Sequence, residues 1–91
     1  MTIQWSLAAQ RDLVRLADFL KPVNPRAAAQ VVHNIIAAVE KLADFPELAP
    51  RIEGQDDRDI RSLMIGDYNL HYEIKGDSLL IVRIWHGRED R

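Results

Sequence analysis

The sequence predicts an α+β domain of two layers, an antiparallel helix hairpin packed on a mainly antiparallel sheet in the order β-α-α-β-β-β. Three observations predict it. Between Leu7 and Phe45 the apolar residues recur at spacings of three and four, the period of one helix face. From Asp59 onward the period changes to two, that of a strand. Two short turns, Gly66-Asp67 and Lys75-Gly76-Asp77, then divide the rest into three strand-like runs.

Thr2 to Trp5 alternates polar and apolar and is predicted as a short first strand. Ser6 is placed as the N-cap of a helix from Leu7 to Lys21. Its apolar face carries Ala9, Leu13, Leu16, Ala17 and Leu20, while Arg11, Asp12, Arg15 and Asp18 fall mostly on the other, solvated face. Pro22 stops that helix. Asn24-Pro25 starts the next, with Asn as cap and Pro at the first helical position. From Arg26 to Phe45 the stripe is Ala28, Val32, Ile35, Ile36, Val39 and Leu42. Phe45-Pro46 ends it, because the residue before proline avoids helical geometry. Such a short link between the helices predicts a hairpin.

Glu47 to Arg58 reads as a long loop with Pro50, Gly54, Asp56 and Asp57. Arg61 to Ile65 is the second strand. Tyr68 to Ile74 is the third, with Tyr68, Leu70, Tyr72 and Ile74 on one face and Asn69, His71 and Glu73 on the other. The last run, Leu79-Leu80-Ile81-Val82 extended by Ile84 and Trp85, is apolar without alternation and predicts a strand covered on both faces in the middle of the sheet. It delivers the polar tail His86-Gly87-Arg88-Glu89-Asp90-Arg91 to the sheet's end.

Composition narrows the function. The 91 residues suit one domain, and 47% hydrophobic content excludes a disordered chain. A net charge of −2 gives no global field to hold nucleic acid, so no direct specific DNA binding is expected. There is no cysteine, hence no disulfide or thiolate chemistry. The N-terminus lacks a signal peptide's basic start, and no apolar stretch reaches membrane-span length, so a cytoplasmic protein with no membrane contact is expected.

His33, His71 and His86 show no metal-ligand spacing. His33 is read at the edge of the core stripe, and His71 as a half-exposed strand residue. No nucleophile sits in a Gly-x-Ser-x-Gly setting and no Gly-x-Gly cradles a phosphate, so no cofactor is expected. Arginine is more informative, with nine against three lysines. From Arg51 onward, however, nine acids outnumber seven bases, which argues against a simple phosphate-binding surface. Arginine beside tryptophan is instead the composition of protein-interface hot spots, and Arg61, Arg83, Trp85, His86, Arg88 and Arg91 are the candidate partner-binding residues.

Taken together, several groups of residues resemble the RelE/ParE toxins of bacterial toxin–antitoxin systems. They are Trp5 followed by Ala9, Asp12 and Leu13; Asn24-Pro25 with Ala27-Ala28; Leu42 with Phe45-Pro46; Arg61-Ser62-Leu63; Gly66-Asp67-Tyr68 with Tyr72; and Ile84-Trp85-His86-Gly87-Arg88. The resemblance covers essentially the whole chain and implies the fold reached above. It also implies an antitoxin that binds and silences the toxin, for which Phe19, Ile81 and Trp85 are expected to line an apolar groove. The RelE branch cuts messenger RNA in the ribosome with basic residues on the open sheet face and a C-terminal arginine with tyrosine or histidine. The matching positions are Ile60, Ser62 and Asn69, none of them basic, and no tyrosine follows Gly87. The sequence therefore resembles the ParE branch, which poisons DNA gyrase by protein contact without catalysis and is neutralised by a ParD-like antitoxin. The rivals are a ribosome-dependent RNase using His71, Arg83, His86 and Arg88, and an interaction module whose toxicity has been lost.

Overall fold

A computed structural model describes residues 1–54 and 57–88. The elements follow the predicted order: β1 (Thr2–Trp5), α1 (Leu7–Leu20), α2 (Pro25–Asp44), β2 (Asp59–Ile65), β3 (Tyr68–Lys75) and β4 (Ser78–His86). Both helix starts are capped as their sequences imply. The Ser6 hydroxyl accepts from Ala9 N at 2.9 Å, and the Asn24 side chain accepts from Ala27 N at 3.1 Å, with Pro25 opening α2.

The strands form one mixed sheet in the order β1-β4-β3-β2. The last three make an antiparallel meander, and β1 returns parallel to β4. The two helices pack on one face of this sheet. Leu70, Tyr72, Leu79, Ile81 and Ile84 meet Ala9, Leu16, Ile35, Val39 and Leu42 in a single core. With both helices on one side, the other sheet face stays open, and β4 is not covered twice as its unbroken apolar run suggested. Leu80 and Val82 remain half-buried. On the second helix, Ile36 of the expected core stripe and His33, expected at its edge, are exposed.

Burial along β4 alternates up to Val82 and then shifts phase. Tyr72 pairs with Ile81 and His71 with Arg83, so Val82 is an extra residue opposite no partner. This bulge lets Ile81 and Ile84, three apart, both face the core. Beyond it, Arg83 and Trp85 lie on the open face beside His71 and Asn69.

The segment after α2 is more structured than a loop. Arg51 bridges to Arg61, Ile52 N donates to Ile60 O at 2.8 Å, and Ser62 N donates to Pro50 O at 3.3 Å. The chain from Pro50 to Ile52 thus covers part of the outer edge of β2.

Candidate partner-binding site

β1 pairs with β4 only as far as Trp5 and Ile81, so β4 has a bare edge from Val82 onward. A bare edge presents unpaired backbone groups. Side chains from the start of α1 occupy these. The Ser6 hydroxyl donates to Val82 O at 2.7 Å, the Asp12 carboxylate accepts from Ile84 N at 2.9 Å, and Arg15 donates to Ile84 O at 3.5 Å. Arg83 reaches round the same edge and grips Asp12 through two hydrogen bonds of 2.8 and 3.1 Å. Asp12 is 3% exposed, which corrects its expected place on the solvated face.

Burial works against ionisation of this carboxyl and is the largest single influence on it. The Arg83 hydrogen bond, the Ile84 N–H, the Arg83 charge and Arg15 together outweigh burial and hold its pKa below the usual aspartate value. Arg83 thus has a structural contact to Asp12, with its side chain still 39% exposed.

Arg61 is likewise held by contacts within the chain. Its side chain is 12% exposed, donates to Ala49 O at 2.8 Å and pairs with Asp59 at 3.0 Å. It lies beside Tyr72 in the strand register, away from the tail at the end of β4. Arg51 also pairs with Asp59, and Arg58 forms two hydrogen bonds with Glu73 at 3.0 and 2.9 Å. That contact, the largest influence on Glu73, holds its carboxyl below the usual range and leaves this part of the open face neutralised. Among the described residues beyond Arg51, Arg88 is the arginine with no carboxylate partner. Arg91 lies outside the described residues.

The tail leaves the sheet from a fixed point. Tyr68 and His86 meet edge to face at 5.1 Å, and His71 and Trp85 do so at 4.5 Å on the open face. Gly87 N donates to Asp67 O at 2.8 Å, and Arg88 N donates to His86 Nδ1 at 3.0 Å. A Cβ on Gly87 would stand 3.1 Å from Asp67 O, so glycine here permits close backbone approach. Trp85 and His86 thus lie on opposite faces of the sheet, and Arg88 follows them through its backbone contact to His86.

The expected groove is not formed by its three residues. Ile81 is fully buried in the core, Phe19 is 79% exposed on α1, and Trp85 is on the far side of the sheet from Ile81. The apolar run of β4 gave no sign of which of its residues face inward.

Comparison with known proteins agrees with this architecture. Residues 3–91 match the family described as the ParE toxin of type II toxin-antitoxin system, parDE. Toxin RelE1 of Caulobacter vibrioides is 37% identical over 99% of this chain and 97% of its own length. Putative toxin Y4kP of Sinorhizobium fredii is 32% identical over 96% of this chain and 88% of its own. Among solved structures, the chromosomal ParDE system of P. aeruginosa superposes with a TM-score of 0.78 at 24% identity, covering 94% of this chain and 95% of that one. The toxin–antitoxin complex RelBE2 of Mycobacterium tuberculosis gives 0.65 at 25% identity, covering 93% and 95%. The fold and the sequence together define a small toxin of the RelE/ParE superfamily. This chain belongs to the ParE toxin family of type II toxin–antitoxin systems.

Proposed function

We propose that this chain inhibits DNA gyrase by protein contact and is neutralised by a ParD-like antitoxin. The observation that carries the reading is the chemistry of the open sheet face. Where the resemblance to the RNase branch calls for cations, the chain has Ile60, Ser62 and Asn69. The arginines that might have substituted, Arg58, Arg61 and Arg83, are paired with Glu73, Asp59 and Asp12. In-line RNA cleavage needs a base for the 2′-hydroxyl and cations for the phosphate. Guanidiniums already engaged by carboxylates are less available to a phosphate, which supports the non-catalytic reading. The Trp85-His86-Arg88 end instead offers an aromatic anchor and an arginine without a carboxylate partner, the pairing used at protein interfaces.

The competing reading is a ribosome-dependent RNase. It is favoured by relatives named RelE toxins and would draw on His71, Arg83, His86 and Arg88. Purified chain should inhibit gyrase supercoiling at stoichiometric concentration and leave ribosome-bound messenger RNA intact. Cleavage of that RNA with normal supercoiling would establish the competing reading instead.

A further inference from the structure

Phe45 and Leu48 are 59% and 49% exposed, yet they sit on a segment that cannot turn to hide them. The alternate positions are fastened inward. The hydroxyl of Tyr72, a side chain with no exposure, donates to Pro46 O at 2.7 Å and accepts from Ala49 N at 3.3 Å. Arg61 donates to Ala49 O at 2.8 Å and to Glu47 O at 3.5 Å. Ala49 itself is 2% exposed and belongs to the core. A turn bond from Leu48 N to Phe45 O, 3.1 Å, closes the unit. Two large apolar side chains held outward on a pre-ordered turn lose little freedom when they bind, which is the condition for an anchor site.

The surroundings specify what fits. Asp44, Phe45, Pro46, Glu47 and Leu48 line a shallow cleft. Among the described residues, no ion pair engages Asp44 or Glu47. Glu40, Lys41, Asp44 and Glu47 set three acids against one base at this end of α2, so the surroundings of the cleft are acidic on balance. Its occupant therefore presents an apolar side chain next to a lysine or arginine.

Position specifies which partner. The turn is tied to Tyr72, whereas the tail starts at His86, opposite Tyr68. Four strand residues separate these points, roughly 13 Å along the sheet. The turn and the tail are two surfaces. Resting on the function proposed above, in which the tail meets the target, we infer that the Phe45–Leu48 turn is a docking point for the antitoxin. A segment of that protein seats an aliphatic side chain between Phe45 and Leu48 and sets a basic residue against Asp44 and Glu47.

The experiment titrates the full chain with the purified product of the open reading frame adjoining its gene, beside a growth assay of the chain alone. Phe45→Ser with Leu48→Ser should weaken binding about tenfold or more, keep the melting temperature and keep growth inhibition. Asp44→Asn with Glu47→Gln should flatten the dependence of affinity on salt. Leu48→Lys, a single exposed change, should weaken binding in the same direction and guards against misfolding of the double variant. Unchanged affinity in all three variants overturns the proposal. So does lost growth inhibition with unchanged affinity, which would give the turn to the target. If the unmodified chain does not bind that product, the antitoxin reading itself fails, and this inference with it.

Discussion

Asp12 and Arg83, 71 residues apart in sequence, are joined by two hydrogen bonds of 2.8 and 3.1 Å across the bare edge of β4. The same carboxylate accepts from Ile84 N, so one side chain both seals a strand edge and docks α1 against it. Sealing matters because an unpaired strand edge invites pairing with other chains.

Removing the carboxylate strands both a backbone donor and a guanidinium. Breaking a fully buried pair costs about 3–5 kcal/mol. Arg83 is 39% exposed and regains water, so Asp12→Ala is expected to destabilise the fold by about 2 kcal/mol. In a domain of this size that lowers the melting temperature by about 8–16 °C. Asp12→Asn, which keeps an acceptor for Ile84 N, should lose less. Thermal melts of the two variants decide this, and equal losses would show that charge alone matters.

The same contact sets an acid limit. Asp12 titrates near 3.8 when unperturbed and lower in the folded chain. A depressed carboxyl contributes its full stabilisation above the unfolded value and loses it as pH falls through the folded value. Stability should therefore drop below about pH 4. The drop should be shallower in Asp12→Asn, which has nothing to protonate there. Glu73, lowered by Arg58 from an unperturbed value of 4.5, acts in the same direction, so a residual slope should persist in that variant. Urea unfolding between pH 3 and 6 measures both slopes.

Much of this fold was legible because its signals are local. Ser6 and Asn24-Pro25 announce helix starts through their own caps, and the meander follows from two turns and a period of two. Asp12 was not legible as a buried residue. Its role depends on β1 ending at Trp5, which is a fact of pairing between strands far apart in sequence. Arg83 was drawn toward function by its neighbour Trp85, while the acid that holds it lies at the other end of the chain. The bulge at Val82 was hidden for another reason: a continuous apolar run carries no phase, so a register shift leaves no mark in it.

Tyr72 and Arg61 should prove structural in a graded way. Tyr72→Phe removes a hydroxyl that serves two backbone groups of the 46–49 segment and leaves a buried amide without its acceptor. The expected loss is about 1–3 kcal/mol. Arg61→Ala frees the same segment from the other side and should cost about 1–2 kcal/mol. Hydrogen exchange at the Ala49 amide should accelerate in both variants more than at β4 amides. Uniform acceleration across the chain would indicate global unfolding rather than release of this segment.

An antitoxin bound to the folded chain alone raises its stability by mass action. At a free concentration about a hundredfold above Kd the gain is about 2.7 kcal/mol, or about 10–20 °C in melting temperature for a small domain. A differential scanning measurement on the complex and the isolated chain tests the partner assignment without any assay of toxicity. Equal melting temperatures at saturation would argue against an antitoxin that selects the folded form.

The tail prediction follows from how the end of β4 is held. Trp85 rests against His71, His86 against Tyr68, and Gly87 is bonded to Asp67, so the exit direction is set before Arg88 is reached. A short segment leaving a fixed platform is presented to a partner at little conformational loss. Arg88 is exposed and, unlike Arg58, Arg61 and Arg83, has no carboxylate partner among the described residues. Its planar fork suits a carboxylate on a protein surface. Losing such a contact, when it is buried by the partner, costs about 2–5 kcal/mol in binding. Arg88→Ala, and truncation after Gly87, are therefore expected to abolish growth inhibition while leaving the melting temperature within about 2 °C, because Arg88 is exposed and outside the core. Antitoxin affinity should fall less than toxicity, since the proposed docking turn lies elsewhere. A growth assay, a thermal melt and an antitoxin titration on the same two variants separate these effects. Full toxicity in the truncated chain would remove the tail from the mechanism and move the search to the segment between Glu47 and Arg58.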